Sequence, residues 1–251
     1  MGSRMPIAII TFTLVIFLYG NLHACRSSIC DFCRQKQLSI HSLARNSNGC
    51  WPSDYIFNWL HIGNRCFIFA KCPCNWSGRL WARTQCSTDA SGKFVCATAD
   101  CASGVVECNG AGAIPPASLA EFTLRGDGGK DFYDISLVDG FNIPISITPQ
   151  GGSTGCPSTS CAANVNAVCD PSLAVKGADG TVIACKSACL AFNQPQYCCT
   201  GDHNTADTCP PTQYSMTFKQ QCPQAYSYAY DDKSSTFTCP SGGNYLITFC
   251  P

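Results

Sequence analysis

Residues 119–145 read Leu-Ala-Glu-Phe-Thr-Leu-Arg-Gly-Asp-Gly-Gly-Lys-Asp-Phe-Tyr-Asp-Ile-Ser-Leu-Val-Asp-Gly-Phe-Asn-Ile-Pro-Ile. Two runs rich in β-branched, aromatic and aliphatic residues flank a glycine-rich turn at 125–130, the short-range signature of a β-hairpin. Simple pairing across that loop sets Leu124 against Asp131 and Glu121 against Asp134. Directly opposed side chains lie roughly 5 Å apart at Cβ, so two carboxylates become neighbours on one sheet face. Unless a cation or a bound polar group relieves them, one has a raised pKa, the condition under which a carboxyl serves as an acid near neutrality. Asp139 stands five residues beyond Asp134, roughly 16 Å away if the chain stays extended, and joins the pair only if the chain bends at Asp139-Gly140. A purely structural reading is also open, in which Asp127 and Asp139 belong to Asp-Gly turns and Asp131 is surface charge.

The chain has 251 residues, room for one large domain or two small ones with a real core. Its 22 cysteines, 21 glycines and 13% charged residues are the usage of a secreted, disulfide-stapled, loop-rich protein. Residues 1–24 supply the address: Arg4, an apolar run from Ile7 to Tyr19, and small or polar residues up to Ala24 read as a secretory signal peptide. No second apolar run follows, so no stable membrane anchor is expected. The formal charge of zero conceals an asymmetry: residues 1–75 hold seven Lys or Arg and two Asp or Glu, the remainder nine and fourteen. The acidic balance from residue 76 onward argues against nucleic acid as a partner.

The hairpin stretch and the closing run Tyr230-Asp-Asp-Lys-Ser-Ser-Thr-Phe-Thr-Cys239, with Ile247-Thr-Phe-Cys-Pro251, resemble the thaumatin-like proteins of plants. Gly92-Lys-Phe-Val-Cys96-Ala-Thr-Ala-Asp100-Cys101-Ala-Ser-Gly104-Val-Val-Glu-Cys108 matches that family's signature segment. The resemblance implies a mainly β fold: a thaumatin-like β-sandwich with a disulfide-rich loop and helix lobe and a small disulfide-stapled loop lobe. The sandwich is expected over 76–83, 122–161 and 223–251, the small lobe over 84–121 and the disulfide-rich lobe over 162–222.

Spacing alone leaves the cysteine connectivity open. The resemblance implies Cys86 with Cys96, Cys101 with Cys108, Cys156 with Cys239, Cys161 with Cys222, Cys169 with Cys185, Cys189 with Cys198 and Cys199 with Cys209, leaving Cys250 over. Seven bridges at typically about 2–4 kcal/mol each would resist heat and proteases, and none of these cysteines is expected to be catalytic.

Residues 25–75 fit nothing around them, with seven cysteines and neither strand alternation nor helical periodicity. Cys30-x-x-Cys33 and Cys72-x-Cys74 lack a second pair at finger spacing, so no metal is expected. Read one nucleotide later, codons allowed for Leu43–Asn75 can spell a segment resembling the family's amino-terminal region, before the present frame resumes at Trp76-Ser-Gly-Arg-Leu-Trp. The segment from about 25 to 75 is therefore expected to be frame-shifted, with the family's first strands missing or scrambled and poorly packed. Asn75-Trp-Ser77 is a glycosylation sequon at that junction.

Farther along, residues 143–151 read as a strand whose prolines suit an edge. Lys186–Phe192 reads as a helix stopped at Asn193-Gln-Pro195, and Gln213–Gln221 as a second helix capped by Thr212. Asp170, Asp179, Asp202, His203 and Asp207 read as solvated loop charge. Tyr226–Tyr230 and Tyr245–Phe249 show strand alternation.

In the family an acidic cleft is lined by an Arg, a Glu and three Asp, which the resemblance carries onto Arg79, Glu121, Asp134, Asp139 and Asp231. It implies a secreted, apoplastic, monomeric antifungal defence protein binding β-1,3-glucan or another fungal cell-wall polysaccharide, with no cofactor. Phe132, Tyr133, Phe141 or Tyr226 could offer flat faces to pyranose rings, although strand aromatics are more often core. Two alternatives accompany that reading. In a weak endo-β-1,3-glucanase, Glu121 is the acid and Asp139, or failing it Asp134, the nucleophile or base. Separations of roughly 5–5.5 Å imply retention and roughly 6.5–9.5 Å inversion. The other alternative is a non-catalytic protein acting on fungal membranes.

Overall fold

A computed structural model describes residues 38–42, 57–62, 65–70, 76–150, 155–240 and 244–251, the first three segments by their backbone. Two five-stranded antiparallel sheets carry the architecture. In spatial order the first is β1 (Leu38–Ser42), β4 (Ser77–Ala82), β7 (Leu119–Thr123), β8 (Lys130–Ser136) and β13 (Phe237–Pro240). The second is β10 (Thr159–Cys161), β9 (Ile145–Gln150), β14 (Asn244–Phe249), β3 (Arg65–Ala70) and β2 (Phe57–Ile62). Two hairpins stand apart, β5 (Thr84–Thr88) with β6 (Phe94–Thr98) and β11 (Ala174–Lys176) with β12 (Val182–Cys185). Residues 1–37, 43–56, 63–64, 71–75, 151–154 and 241–243, with the signal peptide, the two cysteine clusters and Asn75, lie outside the described residues. By their backbones β1 pairs with β4 and β3 with β14.

The sandwich core follows from alternation, since successive strand residues face opposite sides of a sheet. Leu80, Ala82, Ala120, Phe122, Tyr133 and Ile135 point inward from the first sheet and meet Ile145, Ile147, Ile247 and Phe249 of the second, all buried. Aromatic rings bridge the sheets, with Phe122 5.2 Å and Tyr133 5.1 Å from Tyr245 between ring centroids. Such tilted and edge contacts add to the area that the rings bury. Tyr133 and Phe141 are therefore core residues, completely buried, and neither offers a face to a ligand.

The seven disulfides are Cys86–Cys96, Cys101–Cys108, Cys156–Cys239, Cys161–Cys222, Cys169–Cys185, Cys189–Cys198 and Cys199–Cys209. The small lobe is also held by charge: Arg83, wholly buried, lies 3.7 Å from Asp100 Oδ1 and 5.0 Å over the Phe94 ring. In the disulfide-rich lobe, α1 (Ala188–Phe192) is capped by Ser187 and ends on left-handed Asn193. A short α2 (Pro195–Cys198) follows, and α3 (Gln213–Gln221) begins with a reciprocal cap between Thr212 and Ser215. Such caps satisfy the otherwise orphaned amides of the first turn.

Three sequence expectations change. Tyr226–Tyr230 is not a strand: Tyr226 makes a single parallel bridge to Ser136, and the chain then turns into α4 (Asp232–Ser235). β9 is not an edge, since it lies between β10 and β14. Asp131 is no surface charge. It is 3% exposed, accepts the Arg125 amide at 2.9 Å, and accepts the Tyr245 hydroxyl at 2.9 Å, so one carboxylate closes the hairpin loop and joins it to the opposite sheet.

Loss of the Tyr245 hydroxyl in Tyr245→Phe should cost roughly 1–2 kcal/mol, and Asp131→Ala more, because it orphans both donors. In denaturant unfolding of the two single variants and the double variant, the double should lose clearly less than the sum. Strict additivity would show that the hydrogen bond contributes nothing.

Candidate functional site

The register that buries Phe122 and Tyr133 sends their neighbours outward. Arg79 of β4 is paired with Glu121 of β7, and Glu121 with Asp134 of β8, so the three stand in one row across the sheet. Arg79 Nε lies 2.6 Å from Glu121 Oε1. One pleat away on the same face, Ser77 donates to Thr123 Oγ1 at 3.0 Å. Ser77, Arg79, Glu121, Thr123, Phe132 and Asp134 line an open depression of about 290 Å³. Of the four aromatics that the sequence offered, Phe132 lies in this groove and Tyr226 beside it.

Glu121 and Asp134 are tuned differently. Burial pushes the Glu121 carboxyl up; Arg79 draws it back, the Asp139 charge raises it, and hydrogen bonds from Arg79 and Ser136 favour the ionised form. Asp134 is pushed up to about 8, by burial first and then by the Glu121 charge, with Arg79 opposing and Asp232 adding to the rise. Its Oδ1 is buried and accepts no hydrogen bond. An unsolvated carboxylate oxygen disfavours the anion, so Asp134 holds the proton of the pair at neutral pH while Glu121 has the guanidinium.

Asp139 comes near enough for its charge to be felt at Glu121 because the chain turns. β8 ends at Ser136, and the Gly140 amide donates to Leu137 O at 2.9 Å, which returns the backbone toward β7 instead of extending it. Gly140 has φ +92°, and a Cβ there would lie 2.5 Å from the Cys185 carbonyl and 2.9 Å from Pro116 Cβ. Only glycine lets the turn lie against the disulfide-rich lobe.

Asp231 is not brought to the groove. Its carboxylate is 2.9 Å from Lys219 Nζ and accepts the Ser227 amide and hydroxyl, each at 2.9 Å. Its neighbour Asp232 accepts the Tyr226 hydroxyl at 2.9 Å, and its charge is felt at Asp134. Burial raises the Tyr226 phenol to about 12, so it remains a donor. Asp232 and Ser136 are the members that sequence reasoning missed. The adjacency of Asp231 and Asp232 was the one signal, and only a lysine 12 residues earlier decides between them. Among the described residues no three His, Cys, Asp or Glu side chains are grouped to hold a metal ion. Among them, too, no helix is long and apolar enough to cross a membrane.

A disulfide-stapled β-sandwich with a carboxylate row in a groove across one sheet is the class of protein that these features define. Residues 60–251 match the Thaumatin family, and the chain belongs to it. It is 70% identical over 176 residues to Thaumatin-like protein 1 of Pyrus pyrifolia, covering 70% of this chain and 72% of that protein. Over 179 residues it is 68% identical to a Glucan endo-1,3-beta-glucosidase of Prunus avium, covering 71% and 73% of the two chains. Pathogenesis-related protein 5 of Arabidopsis thaliana is 58% identical over 179 residues, again 71% and 73%. These similarities support a role in plant defence.

The raised Asp134 carboxyl has a consequence for stability. Below the unfolded value of roughly 4 both states hold the proton, and the site costs nothing. As pH rises toward about 8 the unfolded chain has released that proton and the folded chain retains it, so stability falls, and above it the buried anion bears the full penalty. Asp134→Asn should therefore match the parent in urea unfolding at pH 4 and exceed it at pH 9 by on the order of 2–4 kcal/mol. Equal stability at both pH values would rule out the buried, proton-holding carboxyl.

Proposed function

We propose that this is a secreted, monomeric plant defence protein whose acidic groove binds the β-1,3-glucan of fungal cell walls. The observation that carries the reading is the row Arg79–Glu121–Asp134 on the floor of a groove edged by Phe132, Ser77 and Thr123. Glu121, whose burial-raised carboxyl Arg79 draws back toward the ionised form, accepts hydrogen bonds from sugar hydroxyls, a protonated Asp134 donates one, and Phe132 supplies an apolar face to a pyranose ring. Water fills such a groove when it is empty, so a saccharide exchanges one set of hydrogen bonds for another and gains the contact with the ring. Cysteine usage and the hydrophobic run at 7–19 support secretion.

A second reading, weak hydrolysis of the same glucan, is favoured by the proton on Asp134. It inverts the roles expected from sequence: Asp134 is the proton donor, and Glu121, whose burial-raised carboxyl Arg79 draws back toward the ionised form, is the nucleophile or base. Directly paired residues on adjacent strands have Cβ atoms roughly 4.5–5.5 Å apart, from which the two carboxyls can reach the roughly 5–5.5 Å of retaining glycosidases. Both nevertheless rise from one sheet floor, whereas hydrolysis needs carboxyls on two sides of the scissile bond, and only Asp139 approaches from the neighbouring turn. That arrangement favours binding over turnover.

Calorimetric titration with a linear β-1,3-glucan hexasaccharide should show saturable binding, weakened about tenfold or more by Glu121→Gln, equivalent to roughly 1.4 kcal/mol. Binding that is indifferent to Glu121→Gln and to Asp134→Asn would remove the groove from function. If hydrolysis accompanies binding, release of reducing ends should fall as pH rises through about 8. Asp134→Asn should abolish that release and leave binding measurable.

A further inference from the structure

The disulfide-rich lobe contains a second cavity, of about 270 Å³, that shares no lining residue with the groove. Its floor is apolar, made by the buried Val165, Leu173 and Phe218. Its rim is polar and comes largely from one side of α3, where Gln213, Tyr214 and Thr217 follow at near-helical spacing. Asp170, at the rim, uses Oδ1 to accept the Ser172 amide at 2.8 Å and hydroxyl at 2.6 Å. Those hydrogen bonds hold its carboxyl below the usual aspartate range, so it is an anion and an acceptor.

The Tyr214 ring is fixed before any ligand arrives. It packs 5.2 Å from Phe192 and 5.7 Å from Tyr197, the latter edge-on at 81°. These three rings come from α1, α2 and α3, which the Cys189–Cys198 and Cys199–Cys209 bridges tie to one another and to the adjoining loop. A pre-set aromatic wall costs little ordering entropy on binding. Its lining carries no cationic side chain and one carboxylate, Asp170, which disfavours phosphate- or carboxylate-bearing ligands. The cavity is far roomier than a single water requires, so it can admit a ring-sized ligand.

We infer that this cavity is a second saccharide site, holding a single neutral pyranose unit against Tyr214 with its hydroxyls on Asp170, Gln213 and Thr217. The choice of β-1,3-glucan as its ligand rests on the reading of the groove; the site itself rests on its own lining. Two such sites on one rigid protein would hold an insoluble polysaccharide more tightly than either alone, through effective concentration.

Amide chemical-shift mapping of the full, oxidised protein with a β-1,3-linked glucotriose separates the two readings. Saturating shifts are expected at 170–173 and 213–218 in addition to those around 79, 121 and 134. Gln213→Ala, at an exposed position that leaves the fold intact, and Tyr214→Ala should weaken the lobe shifts about tenfold while the groove shifts persist. Shifts at the groove alone overturn the second site and leave the groove reading standing. Shifts in the lobe alone do the reverse, and shifts at neither overturn both. Lobe shifts with toluene and none with the sugar would identify an apolar cavity and also overturn the site.

Discussion

The period of two along a strand is the constraint on which both core and groove depend. In β7 and β8 it places Phe122 and Tyr133 in the sandwich and, by the same step, Glu121 and Asp134 outside it. A one-residue slip would bury the two carboxylates and expose the aromatics. The register is therefore held by hydrophobic burial, and the proximity of the acids follows from it at no further structural requirement. Asp131 makes the slip harder still, since its carboxylate is committed to the Arg125 amide and the Tyr245 hydroxyl in a single register.

The walls of the groove depend on contacts between lobes. Asn142 is the joint: its side-chain amide donates to Ala82 O at 2.8 Å and Thr98 Oγ1 at 3.0 Å, and its carbonyl side chain accepts the Ser118 amide at 3.0 Å. Its backbone carbonyl accepts from Asn166 at 3.1 Å, so sandwich, small lobe and disulfide-rich lobe meet on one buried residue. Two residues earlier the turn at Gly140 fits against Cys185, and this fixes where Asp139 stands. On the opposite wall Lys219 anchors Asp231 and also donates to Ala225 O and Ser235 Oγ, each at 3.0 Å. Asp231 thus holds the loop, while Asp232 accepts the Tyr226 hydroxyl.

Electrostatically the groove is a graded row. A guanidinium at one end favours the ionised form of the nearest carboxylate, and burial with a like charge keeps the proton on the next. One acceptor and one donor side by side on a rigid sheet suit the alternating hydroxyls of a neutral sugar better than a patch of equivalent anions would. The disulfides hold the surrounding loops in place around the sandwich core.

Much was legible in the sequence because it was local. The hairpin, its register and the Glu121–Asp134 pairing follow from strand alternation around a glycine turn, and the caps at Ser187 and Thr212 follow from residue types at helix starts. The family resemblance, carried by cysteines, glycines and the Asp-Phe-Tyr-Asp run, agrees with the family to which the chain belongs. What alternation could not tell was which alternating run would find a partner. Tyr226–Tyr230 has the pattern of a strand, yet its neighbour β8 has already ended, so only Tyr226 bridges. Asp131 looked like surface charge because its partner lies 114 residues away on the other sheet. Asp231 and Asp232 are alike as residues, and a lysine on a helix of another lobe separates their roles. Local chemistry is written in neighbouring residues; the proton on Asp134, the bend that brings in Asp139 and the choice of Asp232 depend on desolvation and charge from distant segments, which exist only once the lobes have packed.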